Sequence, residues 1–144
     1  THNSFDTVTG DVKFDQINGA ISSFVEEMKA QSAWDDVAVL TVSDFGRTIS
    51  SNGLGTDHGW GGNMVLLGGG VDGGKFMGKF PHKLGDDGEL NIGRGRVIPS
   101  TSWEAVWKGL AVWLDVPADK LDEVLPNLKN FPPDQAFGKA QLFK

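Results

Sequence analysis

Val37-Ala38-Val39-Leu40-Thr41-Val42-Ser43-Asp44-Phe45-Gly46-Arg47-Thr48 is the stretch on which the reading of this chain turns. Its first six residues are apolar or β-branched on both faces, as a strand buried inside a parallel sheet must be. The run stops abruptly at Ser43-Asp44, where the chain becomes polar. Upstream, Phe14, Ile17, Ile21, Phe24, Val25 and Met28 recur at three- and four-residue spacing and predict a helix with one apolar stripe. Gly19 within it costs about 1 kcal/mol relative to Ala, which burial of the stripe can outweigh. Downstream, residues 50–62 are rich in Gly, Ser, Asn and Asp, and a second buried strand follows at Met64-Val65-Leu66-Leu67. Helix, buried strand and polar loop in succession predict an α/β domain, in which sites lie at the carboxyl ends of strands.

Beyond Gly68-Gly69-Gly70, residues 71–96 carry glycine turn signals throughout and predict a long surface excursion with room for a hairpin. Thr101 as N-cap, with Glu104 three residues on, predicts a helix start. Trp103, Val106, Trp107, Leu110, Trp113 and Leu114 trace its apolar face, which assigns the tryptophans to a core or an interface. Pro117 ends that helix, and Ala118 to Leu125 predicts a short second one stopped by Pro126. The tail through Pro132-Pro133 reads as extended.

The 144 residues are 39% hydrophobic and 22% charged, enough for one core and too few for two full domains. A net charge of -6 argues against nucleic-acid binding, which needs clustered Lys and Arg. No run approaches the roughly 18 apolar residues of a membrane span. Without cysteine there is no disulfide and no thiolate metal site, so a metal would sit on imidazole or oxygen. The opening Thr1-His2-Asn3 has neither an initiator Met nor a leader pattern, and reads as an internal piece of something longer.

Three motifs invite chemistry. Asp44-Phe45-Gly46 matches the magnesium-holding tripeptide of protein kinases, but the His-Arg-Asp and Ala-Pro-Glu motifs a kinase needs are absent. Gly68-Gly69-Gly70-Val71-Asp72-Gly73 matches a dinucleotide fingerprint, yet no helix opens at its third glycine to meet a pyrophosphate. More specific is Asp57-His58 within Gly55-Thr56-Asp57-His58-Gly59-Trp60-Gly61-Gly62. A lone His is more often structural than a ligand. This one neighbours a carboxylate in a glycine-rich loop, and Asp with His suits zinc, manganese or magnesium. Asp44, at the end of the preceding strand, is expected in the same crevice. Arg47 reads either as a surface ion-pair partner or as a guanidinium that holds an anionic substrate. Arg94 and Arg96 form a compact basic cluster that reads either as an anion-binding pair or, the favoured reading, as partners of Asp86, Asp87 and Glu89. Ser43, Ser50 and Ser51 lack a partner that would mark a nucleophile.

Val42-Ser43-Asp44-Phe45-Gly46-Arg47-Thr48, Asn52-Gly53, Gly55-Thr56-Asp57-His58-Gly59 and Leu67-Gly68-Gly69-Gly70-Val71-Asp72-Gly73-Gly74, taken in order, resemble one consecutive motif series. It is that of the sulfatase-like domain-of-unknown-function family fifteen-oh-one. Thr1-His2-Asn3 resembles the end of that family's Asp-Thr-His motif, and Ile98-Pro99-Ser100-Thr101-Ser102-Trp103 and Leu125-Pro126-Asn127 resemble C-terminal features of some members. The family is similar to the alkaline-phosphatase/sulfatase superfamily. That resemblance implies a single partial domain over residues 1–144, the C-terminal part of a three-layer α/β sandwich with a mainly parallel sheet.

The resemblance further implies a divalent metal (zinc, calcium, manganese or magnesium) with His2 and His58 on one ion. Asp44 would take a second or bridging position, and Asp57 would stand in where Phe45 replaces the superfamily's usual His. Arg47 would offset charge on the ester oxygens. The superfamily's nucleophile belongs to the N-terminal half and has no match here. The implied activity is metal-dependent hydrolysis of phosphate or sulfate esters, absent from this segment by itself. The rival is a non-catalytic binding or scaffold module within a larger assembly. Expected partners are the N-terminal half or another subunit, and the resemblance implies export or a periplasmic location.

Overall fold

The computed structural model describes residues 7–144, so His2 and the remainder of the Thr1-His2-Asn3 motif lie outside the described residues. These residues form two compact units. The first runs up to Gly69 and includes Pro81–Pro99; the second comprises Gly70–Phe80 and Ser100–Lys144. The chain is a mixture of helix and strand.

The first unit begins with helix α1, Thr7–Ala30. The periodic stripe is there, and its burial grows toward the C-terminal end: Ile21, Val25 and Met28 are half-buried, while Phe14, Ile17 and Phe24 are exposed. The helix ends in a left-handed residue, Ser32, with φ of 56°. Ser32 N–H donates to the Lys29 carbonyl at 3.0 Å and Ala33 N–H to the Met28 carbonyl at 2.8 Å. These two bonds satisfy carbonyls that a helix end would otherwise leave open.

Strand β1, Val39–Leu40, lies within the predicted strand but is shorter, and it pairs with β4, Leu66–Leu67. The pairing is antiparallel, Val39 opposite Leu67 and Leu40 opposite Leu66, and all four residues are half-buried. No parallel sheet occurs among the described residues. Parallel neighbours need a crossover that returns the chain to the same end of the sheet. Here the connection is itself a hairpin, so the chain re-enters beside β1 from the opposite direction.

That hairpin joins β2, Gly46–Ser51, to β3, Thr56–Gly59, in a segment read from sequence as loop. Gly46 opposes Gly59, Arg47 opposes His58 and Ser51 opposes Thr56, with an irregularity between Arg47 and Ser51. Asn52-Gly53 closes it, with Gly53 at φ 94° and the Leu54 N–H on Asn52 Oδ1 at 3.0 Å. Asn-Gly is the strongest short-range hairpin signal and was the cue available in the sequence. Gly46 is required: a Cβ there would lie 1.8 Å from the Gly61 carbonyl oxygen. Gly69, in the glycine run, donates its N–H to the Trp34 carbonyl at 3.1 Å, and a Cβ on it would meet Asp35 Oδ1 at 2.2 Å. Its smallness serves that close approach.

In the second unit α2 spans Trp103–Trp113. Its N-cap is Ser102, one residue after the expected Thr101; the Ser102 hydroxyl accepts from the Ala105 N–H at 3.2 Å. The buried face is also shifted. Ala105, Gly109 and Leu110 are buried, whereas Trp107 and Trp113 are half-buried and Trp103 is exposed. Small residues win this face because the chain's C-terminus packs directly on it: a Cβ on Gly109 would sit 2.4 Å from Leu142 Cδ1. Trp113 stacks on Phe143 with ring centroids 4.6 Å apart. A short 3₁₀ turn at Ala118–Lys120 leads into α3, Leu121–Val124, matching the predicted short helix. The tail forms turns and a final helix, α4, Lys139–Leu142, where extended chain was expected. Phe143 then bridges to Val71 in antiparallel fashion. Among the described residues, the buried apolar side chains are Val71, Ala105, Leu110, Leu142 and Phe143, all in this unit.

Candidate functional site

The β2–β3 hairpin gathers most of the candidate residues. Arg47 and His58 face each other across the ladder. The Phe45 ring stacks on the His58 imidazole, centroids 3.8 Å apart and 28° between planes, and the Arg47 guanidinium carbon lies 5.5 Å from the Phe45 centroid. An exposed cation–π contact contributes about 0.5–1 kcal/mol. Arg47 Nη1 also donates to the Thr56 carbonyl at 2.9 Å. Phe45 cannot ligate a metal, but it covers one face of His58 and restricts how that ring can turn. Asp44, exposed, precedes Phe45 directly.

Asp57 belongs to a different set of contacts. Neighbours on a strand leave it on opposite faces, and the partners of Asp57 and His58 differ accordingly. Asp57 Oδ1 accepts from Asn52 Nδ2 at 2.8 Å, and Oδ2 accepts from Arg94 Nη2 at 2.6 Å. Its N–H donates to Thr48 Oγ1 at 3.0 Å; Thr48 is buried and its hydroxyl in turn donates to the Ser50 carbonyl. Arg94 therefore pairs with Asp57 across 37 residues, not with the acid-rich segment expected from sequence. Asp87 pairs with Lys83 instead, and Arg96 turns onto the carbonyls of Gly93 and Ile92. Proximity in sequence suggested Asp86, Asp87 and Glu89; the turn at 93–95 carries Arg94 away from them.

That turn is unusual. Gly93, Arg94 and Gly95 have φ of 98°, 58° and 70°, three successive left-handed residues. The Gly95 carbonyl accepts from the Ile49 N–H at 2.9 Å, and a Cβ on Gly95 would sit 2.6 Å from that nitrogen, so the loop is seated on β2. Asn91 and Val97 bridge at its base, giving residues 71–96 and their flank the hairpin they had room for. A left-handed non-glycine residue costs about 1–2 kcal/mol. The Arg94–Asp57 pair, with side chains 70% and 31% exposed, returns only about 0.2–1 kcal/mol. The pair does not offset the strain.

Ser43 Oγ donates to the Phe45 carbonyl and Ser51 Oγ to the Gly55 carbonyl, both turn contacts. The imidazole and carboxylate donors suit a divalent metal chemically. Among the described residues, no group of three His, Asp or Glu side chains converges on one point, and His2 lies outside them. No helix among the described residues is long and apolar enough to cross a membrane.

A family model described as a protein of unknown function, DUF1501, matches residues 1–91, which include both strands of the hairpin and the glycine run. The chain belongs to this family. No curated protein and no solved structure matches it. The DUF1501 match ends within the excursion, before the Gly93-Arg94-Gly95 turn.

Proposed function

We propose that this DUF1501 chain is the C-terminal part of an alkaline-phosphatase-like domain that hydrolyses phosphate or sulfate esters with a divalent metal. One observation carries the reading: Arg47, Phe45 and His58 form a cluster on the hairpin, directly after Asp44. A guanidinium beside an imidazole and a carboxylate suits an anionic group next to a cation. His58, Asp44 and His2 would hold the metal, whose contribution is to polarise an ester oxygen and lower the pKa of an attacking hydroxyl. Arg47 binds the oxygens that gain charge, and Phe45 keeps the imidazole oriented. Asp57, on the other face of the strand and turned toward Asn52 and Arg94, supports the hairpin and would join the ligands only if the local strand geometry changed. The nucleophile and remaining sheet strands would come from the N-terminal half or another subunit, and an exported or periplasmic location follows from the same resemblance.

Elemental analysis of the native protein, with Asp44→Ala and His58→Ala variants, tests this. Stoichiometric zinc, manganese, magnesium or calcium that is lost in both variants is the expected result. A metal-free native protein would overturn the hydrolase reading.

A second reading has its own support. Phe45 occupies one face of His58, and Asp57 is engaged on both oxygens, as in a fold kept for binding within an assembly. Ester binding without turnover in a metal-loaded protein would favour this module.

A further inference from the structure

We propose that Arg94 is an anion-binding residue, held by Asp57 so that its guanidinium meets a tetrahedral phosphate or sulfate group. The inference deepens the ester reading and rests on it. Arginine presents donors in a rigid planar fork that matches such oxyanions. Here one nitrogen of the fork is fixed on Asp57 at 2.6 Å, while the side chain stays 70% exposed, so other donors remain open to solvent.

The support beneath it is layered. Buried Thr48 accepts from the Asp57 backbone, Asn52 holds the second carboxylate oxygen, and Asp57 holds Arg94. From the other side, Gly95 is bonded to Ile49 on β2, which prevents the loop from sliding along the hairpin. These bonds position Asp57 and the loop that carries Arg94, and the Asp57 contact orients the head group.

Stability alone does not explain an arginine at this position. The left-handed conformation suits Gly, Asn or Asp, and the exposed pair returns less than the conformation costs. Strain at Arg94, together with the bonds that hold its partner Asp57 in place, points to use of the head group. The mechanism above gives Arg94 no role, and its place in the sequence favoured the neighbouring acids Asp86, Asp87 and Glu89 over Asp57.

Isothermal titration of the native protein with inorganic phosphate, and separately with inorganic sulfate, tests the proposal at low ionic strength. Arg94→Gln is expected to weaken binding about tenfold, with a thermal midpoint close to the native one. Arg94→Lys keeps the charge without the fork and is expected to recover only part of that loss. Arg94→Gln binding both anions as the native protein does would overturn the proposal. If binding survives in Arg94→Gln but is lost in Arg47→Gln, the Arg94 role falls and the anionic-ester reading stands. If the native protein binds neither anion, both fall. The phosphate and sulfate arms separately decide which oxyanion the residue reads.

Discussion

Gly95 shows how a single position can govern the geometry of the candidate site. Its φ of 70° and its contact with the Ile49 amide leave no room for a side chain. Gly95→Ala should therefore destabilise the first unit by about 1–3 kcal/mol, measured by denaturant unfolding, and should weaken the Arg94–Asp57 pair at the same time. Unchanged stability would mean that the loop is not seated on β2. A second residue-scale prediction concerns Asp72. The hydrogen bond from Lys75, and then the Lys75 charge, hold its carboxyl below the ordinary value of 3.8; Lys144 adds a smaller effect in the same direction. With the folded pKa depressed, the pair's contribution is present above the unfolded pKa and is lost as pH falls through the folded one. A carboxyl NMR titration should find the midpoint below 3.8, and Lys75→Gln should move it upward. A midpoint that ignores the substitution would remove Lys75 as the cause.

At the scale of elements, both long helices end the same way. α2 stops at Asp115, left-handed at φ 58°, with its N–H on the Val112 carbonyl and the Val116 N–H on the Ala111 carbonyl. Pro117 follows, as the sequence reading required of a helix end. Asp tolerates the left-handed region better than most residues but less well than Gly, and it places a negative charge at the negative end of the helix dipole. Its contact with Lys139 is long, at 3.9 Å, with the Asp115 side chain almost fully exposed, and adds little. Asp115→Gly should raise stability by about 1 kcal/mol, read as a higher thermal midpoint; a lower midpoint would show that the Lys139 pair matters more than the helix end. The N-terminus of α2 illustrates how legible such features are. The capping signal located the helix start to within one residue, because Thr101 and Ser102 are both good caps and only local backbone geometry selects between them.

Across the whole molecule, burial is uneven. The buried apolar residues among those described belong to the second unit, where α2 meets the C-terminal segment, while Phe14 and Ile17 of α1 are exposed at 63% and 52%. A helix draws most of its stability from tertiary packing of its apolar face. Hydrogen exchange should therefore be slow at α2 and much faster along α1 before Ile21. Strong protection of the amides around Phe14 and Ile17 would mean that this face is covered in solution, by a second copy or by another partner. The β1–β4 pair lies between these extremes: Val39, Leu40, Leu66 and Leu67 are half-buried, where the sequence alone suggested fully buried strands.

The amino-acid sequence by itself determined where elements form and stop. Helical periodicity placed α1 and α2, prolines and capping residues bounded them, and short apolar runs marked β1 and β4, because these signals act over a few neighbouring residues. It also named the residues that the hairpin brings together, Arg47 and His58, and a motif series sufficient to recognise the family. Partnership was decided only by the tertiary structure. Strand direction, the small-residue face of α2 and the pairing of Asp57 with Arg94 depend on which distant segments meet. The ion pair spans 37 residues and exists because a strained three-residue turn rests on β2. Charge and periodicity carry no information about a meeting of that kind; backbone conformation and close packing do.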